Sequence, residues 1–359
     1  MIRNLAKLLI LILVLFLIFI AYLTYFGITT SKFNSTIKDQ IKKQNDNLDI
    51  DLKKVKLHLD LKNISIKIKT KNPKIILKDN DEIRLDEITS NISISSYFQN
   101  KFALKSLSIK SKNNEISSYI NFYIHTNNSL KLILINQFLK SGIAQININL
   151  SFDDYGKIKN NYILTGKVSN AEIQIPKYKS IKNLNFTFNT KDNDYKFEEI
   201  LFKFNEINLN SNLIQIKKQK DKFFVKGNLK NKKDNINNDI IFLIFNDNLK
   251  NFDFSDTKFE SSSEFSFDLN KKFKIKNLKI DSRLSLDEIF LKNDLYKIKN
   301  YIKNFKNLIN IKENKFHIKY TQKKIIIDGS SEFYIDQNSK NLIKFQIEKN
   351  KNKTNFKTL

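Results

Sequence analysis

Val55-Lys56-Leu57-His58-Leu59-Asp60-Leu61, followed by Ile64-Ser65-Ile66-Lys67-Ile68, sets the reading of this chain. Apolar residues take every second place, and in an extended chain alternate side chains leave opposite faces. Such a strand has one greasy face and one wet face, as expected of an antiparallel sheet with a single buried side. Beyond this stretch, the alternation returns at Ile83 and Leu85, Ile92 and Ile94, and Leu107 and Ile109. It continues at Ile146, Ile148, Leu150 and Phe152, and again around Tyr162 and Leu164. From Leu184 the greasy face turns aromatic, with Leu184, Phe186, Phe188, Phe202, Phe204, Phe223, Val225, Phe252, Phe254, Phe265 and Phe267 in phase. Further strands read at Phe316-His317-Ile318-Lys319-Tyr320, Ile325–Ile327, Phe333–Ile335 and Leu342–Leu359. With only 6 Gly and 2 Pro, the turns must rest on Asn and Asp, which tolerate left-handed backbone and bond it themselves. Lys191-Asp192-Asn193-Asp194 and Asp153-Asp154-Tyr155-Gly156 are of this kind.

Two segments break the alternation. Leu130–Leu139 is apolar without a period of two and reads as a short helix or a fully buried strand, with Gly142 placed to end a helix. Ser285–Ile309 carries Leu286, Ile289, Phe290, Ile298, Tyr301, Ile302, Phe305 and Leu308 at helical spacing, which predicts a helical insertion there.

The N-terminus is of another kind. No charge interrupts Leu8–Phe26, and Leu8, Phe16, Ile20 and Phe26 mark out a helix about 28 Å long, close to the hydrocarbon thickness of a bilayer. Arg3 and Lys7 flank it on one side and Lys32 on the other, with Tyr22 and Tyr25 at interface height. A cleaved signal would have a shorter apolar run and a small-x-small site, but Ala21 is followed by Tyr22, Leu23 and Thr24. Residues 1–30 are therefore expected to be a stub and a single-pass anchor. Phe33, Ile37 and Ile41 recur every four residues and predict an amphipathic connecting helix over 31–47, lying at the membrane exit. Residues 48–359 then form the sheet domain. Lys32, Lys38, Lys42 and Lys43 run against the basic-inside rule, but that rule weakens for long exported domains, and a basic stub before an apolar run also reads as an export signal. The expected topology is N-terminus in the cytoplasm and body outside.

Lys+Arg 63 against Asp+Glu 37 give a net charge of +26. The basic residues are spread along the chain rather than gathered in a patch, and no Arg-rich reading helix is present, so nucleic acid is not an expected partner. Much of the lysine accompanies Asn, Ile and Phe, as where A/T-rich codons dominate. A weak pull toward anionic headgroups fits the same charge. The absence of Cys excludes disulfides and thiolate metal sites. His58, His125 and His317 are far apart, and each sits among apolar residues in what reads as a strand. Asp153-Asp154 and Glu198-Glu199 are adjacent pairs that would point to opposite faces of a strand. No nucleophile elbow, phosphate loop or dinucleotide fingerprint is present, so no catalytic residue, metal or cofactor is expected. The Phe-rich face is left as the functional candidate. A closed sandwich core, which needs no ligand, explains the same pattern.

The order of features also matters. An anchor and a short helix precede LDIDLKKVKLHLDLKNISIKI, then KNPKIILKDNDEIRLDEITSNISIS, then YFQNKFALKSLSIKS. Later come Leu164-Thr165-Gly166-Lys167-Val168 and Leu184-Asn185-Phe186-Thr187-Phe188. This succession resembles the AsmA-like envelope proteins of the YhdP and TamB type, over most of the chain after the anchor. The resemblance implies a bacterial inner-membrane protein with a periplasmic body, whose elongated, curled antiparallel sheet forms an open apolar groove carrying phospholipid acyl chains between inner and outer membrane. It carries no catalytic residues with it. Partners would be phospholipid, the inner membrane and another envelope protein at the C-terminal end. The alternative is a non-catalytic scaffold in outer-membrane assembly, acting through protein contacts. The chain is far shorter than the large members of that family and stops in mid-strand, as a truncated member would. A stack of roughly 18 to 20 strands would be about 90 Å long.

Overall fold

The computed structural model describes residues 2–78, 81–127, 136–174, 180–236, 252–254, 257–272, 274–292, 308–334, 340–350 and 353–359. The fold is mainly β, as the alternation predicts: open antiparallel sheet, few helices and one apolar helix at the N-terminus. Contacts divide the chain into two units, Met1–Ala171 with Phe188–Asp192, and Glu172–Thr187 with Asn193–Leu359.

Unit 1 begins with α1 (Ile2–Tyr25), within which Lys7–Tyr25 is long and apolar enough to cross a membrane. Gly27 ends it at φ +69, a left-handed conformation that glycine adopts without a Cβ penalty. The chain passes straight into β1 (Ile28–Thr30), α2 (Asn34–Gln44), β2 (Leu48–Asp51), β3 (Val55–Asp60), β4 (Ser65–Lys71) and β5 (Lys74–Leu77). Next come β6 (Glu82–Ser93), α3 (Ile94–Phe98), β7 (Leu104–Ser111), β8 (Asn114–Glu115), α4 (Ile116–Asn127), β9 (Leu139–Ser151) and β10 (Ile163–Ile173). Successive pairings β1–β3, β3–β4, β4–β6, β6–β7 and β7–β9 build an antiparallel meander, and β2–β5 adds to the edge of β6. The register puts Leu57, Ile68, Ser90, Leu107 and Leu150 in one row and Val55, Thr70, Ile88, Ile109 and Ile148 in the next. Residues opposite each other in a ladder share a face, so the alternating apolar groups do form one side of the sheet.

Several sequence expectations change here. α2 forms within the predicted 31–47 and lies at the end of β3 away from α1. Asn34 Nδ2 donates to the carbonyls of Leu52 and Lys53, and Lys38 and Lys42 both pair with Asp49, so α2 packs beside the opposite end of β3. β1 carries the chain between the two ends. Gly142 lies inside β9, not at a helix terminus, where a Cβ would meet Ala171 and Ile116. Leu139 opens β9, and residues 130–135 lie outside the described residues. His125 belongs to α4, not to a strand. That helix is held to the sheet by Ser118 and Asn121, which donate to Asp81 at 2.8 and 3.1 Å. Ile94 starts α3, capped by the Ser93 hydroxyl accepting from the Ser96 N–H.

Unit 2 contains most of β11 (Ile181–Lys191), then β12 (Asp194–Phe204), β13 (Ile207–Lys218), β14 (Lys222–Asn235) and β15 (Phe252–Asp253). It continues with β16 (Lys258–Asn270), β17 (Ile275–Lys292), β18 (Leu308–Thr321), β19 (Lys324–Tyr334), β20 (Lys340–Asn350) and β21 (Thr354–Thr358). The ladder runs β12–β13–β14–β16–β17–β18–β19–β20–β21, each pair antiparallel, with β15 set against the end of β17. The expected helical insertion over 285–309 is overturned where it can be seen. Ser285–Lys292 is the second half of β17, paired with β18 from Leu286↔Asn314 to Lys292↔Leu308, while residues 293–307 lie outside the described ones. The helical spacing of Leu286 and Ile289 has another cause. Both are buried, at 7% and 6% exposure, because the inward phase of the strand shifts by one residue between them. The neighbouring β18 has Glu313 at φ +49 and a register shift against β19 between Lys312 and Lys315, which is a β-bulge.

Candidate functional site

The cross-strand register assembles the greasy face of unit 2 residue by residue. One row runs Phe197, Ile214, Gly227, Phe265, Ile280, Tyr320 and Ile325. The next runs Leu229, Ser263, Ser282, Ile318, Ile327, Ile347 and Phe356. A third contains Leu284, Phe316, Gly329 and Phe345. Most of these side chains are half-buried, and Phe356 is 59% exposed. Nine strands at about 4.8 Å make the face about 38 Å wide, against about 15 Å for the acyl region of one leaflet.

Most of the predicted residues fall on this face. Phe223, Val225, Phe265 and Phe267 share it directly, through Phe223↔Leu269 and Val225↔Phe267. The rings of Phe265 and Phe267 stack at 6.2 Å. Phe186, one strand residue beyond Asn185 from Leu184, meets Phe197 edge-on at 5.7 Å. Phe202 and Phe204 pair with Leu209 and Ile207. Their even phase joins the odd phase of Tyr195 and Phe197 because Glu199 sits at φ +54, so Glu198 and Glu199 are both exposed instead of pointing to opposite faces. Phe188 lies in unit 1, its ring laid across Gly166. Phe252 and Phe254 are different: with Ile236, Ile289 and Ile311 they make a packed local cluster, and Phe254 is only 6% exposed.

Sequence reasoning missed two structural devices. The first is the strand glycine under an aromatic ring. A Cβ at Gly227 would lie 2.9 Å from Phe265 Cζ, and one at Gly329 would lie 2.7 Å from two ring carbons of Phe345. Phe345 is flanked by Phe316 at 6.3 Å and Phe356 at 6.0 Å, so the missing side chain at Gly329 makes the seat for a run of three rings. The motif Leu164-Thr165-Gly166-Lys167-Val168 was the available signal for the same arrangement in unit 1. The second device is a buried amide beside two of the bulges. Asn231, 2% exposed, donates to the Phe259 carbonyl at 3.0 Å and accepts from Ser261 Oγ at 2.5 Å. Asn314, 1% exposed, donates to the carbonyls of Leu286 and Ile311. These side chains occupy backbone groups that a bulge leaves unpaired.

The opposite face carries ion pairs in water. Asp268 is held below the usual carboxylate range by the Asn277 amide at 2.7 Å and then by Lys222 at 2.9 Å. Glu332 is held low chiefly by Lys340 at 2.6 Å. His317 pairs with Asp281 at 2.7 Å on this face. Among the described residues no group of three or more His, Asp and Glu is placed to hold a metal ion. No family model, curated protein or solved structure matches the chain.

Proposed function

We propose that this is a membrane-anchored lipid-handling protein whose sheet face takes up phospholipid acyl chains. The observation that carries the reading is the register of unit 2, where apolar rows continue from strand to strand while remaining half-exposed. Rows of Phe and Ile offer acyl chains a trough from which water is displaced at roughly 25 cal/mol per Å². Lysine and carboxylate side chains along the opposite face and strand ends keep the sheet wetted. The resemblance to AsmA-like envelope proteins points the same way, to a body in the periplasm and transfer of phospholipid between inner and outer membrane without catalysis.

The test uses the full-length protein with a photoreactive residue in place of Phe267 or Ile318, compared with Lys279 or Lys319 on the opposite face. Phospholipid adducts at Phe267 and Ile318 and none at the lysines are expected. Adducts confined to the lysines, or protein adducts in place of lipid at Phe267 and Ile318, would replace the trough with a headgroup contact or a protein scaffold.

A further inference from the structure

α1 and the sheet of unit 1 are joined by two residues, Phe26 and Gly27, and this short link sets which end of the sheet lies beside the apolar helix. β1 runs antiparallel to β3 with Ile28 opposite Leu57 and Thr30 opposite Val55. The anchor therefore arrives from the Asp60 end of β3. From Leu57 to Leu61 is four residues, about 13 Å of strand. From Tyr25 back to Ile20 is about 8 Å of helix, and Phe26 and Gly27 add a further few ångströms before Ile28. Ile20, Leu23 and Thr24 are the partly covered positions near the end of α1, on the side that packs against β3. The end of the sheet thus stands level with the last turns of the membrane span.

Three loops share that end. Asp60 pairs with Ser65, Ser65 with Ser93, and Ser106 with Ser151, so the connections 61–64, 94–103 and 152–162 lie side by side. They present Leu61 at 55% exposure, Ile64 at 59%, Tyr97 at 69%, Phe98 at 78%, Tyr155 at 88% and Ile158 at 53%. Among the described residues in the rest of the body of unit 1, the large apolar side chains of comparable exposure are Phe33, Tyr123 and Ile143. The acids in these loops are engaged within the protein. Asp60 accepts from Asn63, Asp153 from the N–H groups of Tyr155 and Lys157, and Asp154 from Lys105. Lys62, Lys157 and Lys159 are exposed on the same loops.

We propose that this rim is a second, non-spanning membrane contact. Tyr97, Phe98, Tyr155 and the neighbouring aliphatic groups enter the headgroup layer of the leaflet beside α1, and the lysines meet its phosphates. Aromatic and aliphatic tips with basic neighbours are the composition that binds such a layer. The contact would hold the sheet at a fixed height and angle to the bilayer. It rests on α1 crossing the membrane and stands independently of lipid uptake by unit 2.

The chain has no cysteine, so single cysteines can carry an environment-sensitive fluorophore without background. Full-length protein would be labelled at Phe98, Tyr155, Asn113 or Phe16 and reconstituted into phosphatidylethanolamine–phosphatidylglycerol vesicles. At Phe98 and Tyr155, emission is expected to shift to the blue and to be quenched more by a headgroup-level lipid nitroxide than by aqueous iodide. The reverse is expected at Asn113, beyond the far end of β7. Water-like emission at Phe98 and Tyr155 with Phe16 quenched by a deep-chain nitroxide would overturn the rim while leaving the anchor in place. An unquenched Phe16 would remove both. Neither result bears on photoadducts at Phe267, so the two proposals fail separately.

Discussion

Replacing Gly329 with Ala tests whether the aromatic run on unit 2 is built around an absent side chain. The backbone at Gly329 is ordinary, so the cost is steric: the new methyl would stand 2.7 Å from Cε1 and Cε2 of Phe345 and nearer still to Cζ. The ring must swing, with Phe316 and Phe356 on either side of it. Overpacking of this size costs about 1–3 kcal/mol, and removing a strand glycine returns about 0.5–1 kcal/mol. The net loss is about 0.5–2 kcal/mol, a fall of about 2- to 30-fold in hydrogen-exchange protection of the β19 amides. With Phe345 already changed to Ala, the obstacle is gone and the same Gly329→Ala change should raise protection. Exchange read by mass spectrometry on peptides covering Lys324–Tyr334, in the single and double variants, gives the coupling directly. A coupling within about 0.5 kcal/mol of zero would show that Phe345 does not rest on Gly329, and the argument from glycine cradles would fail.

Asn314→Ala strips the donor from the Leu286 and Ile311 carbonyls at a site 1% exposed, and should destabilise β17–β18 by about 1–3 kcal/mol. Unchanged exchange in those strands would mean the bulge needs no plug. Gly27→Ala forces a Cβ into the left-handed region and within 2.5 Å of the Leu57 carbonyl oxygen. Protection of β1 and β3 should fall by at least about 1–2 kcal/mol, while unit 2 stays as it is. The depressed carboxyls of Asp268 and Glu332 contribute to the acid response, in the same direction as those of Asp49, Asp60, Glu87, Asp154 and Asp221. Their folded pKa values lie below the unfolded ones, so their contribution is complete above about pH 5 and is lost as pH falls through the folded values. Denaturation midpoints should be flat from neutral pH to about 5 and fall below it, and Asp268→Asn should flatten part of that fall; a loss of stability on raising pH from 5 to 7 would contradict the sign.

The long apolar helix, the sheet and the greasy side of each strand were legible in the residues alone. Period two in Val55–Leu61 and in Phe223–Val225, and a long uncharged run from Leu8, are local properties, and local properties survive in the folded chain. The turns were legible too, since Asp192 and Asn193 take the positive φ values that their side chains tolerate. How these pieces meet was settled by strand pairing in three dimensions. Leu286 and Ile289 look helical in one dimension because the buried side of β17 changes by one residue between them, beside the bulge that β18 makes against β19. Phe252 and Phe254 share a phase with the other aromatics, yet pack into a closed cluster with Ile289 through the pairing of β15. The seat under Phe345 needed Gly329 from the neighbouring strand. The rim needed the register of β1 on β3 to bring Tyr97, Phe98 and Tyr155 level with the end of the anchor. A strand's two faces are set by its own residues; which neighbours share a face, and which loops stand level with the end of the apolar helix, are set by register, and register is a property of pairs.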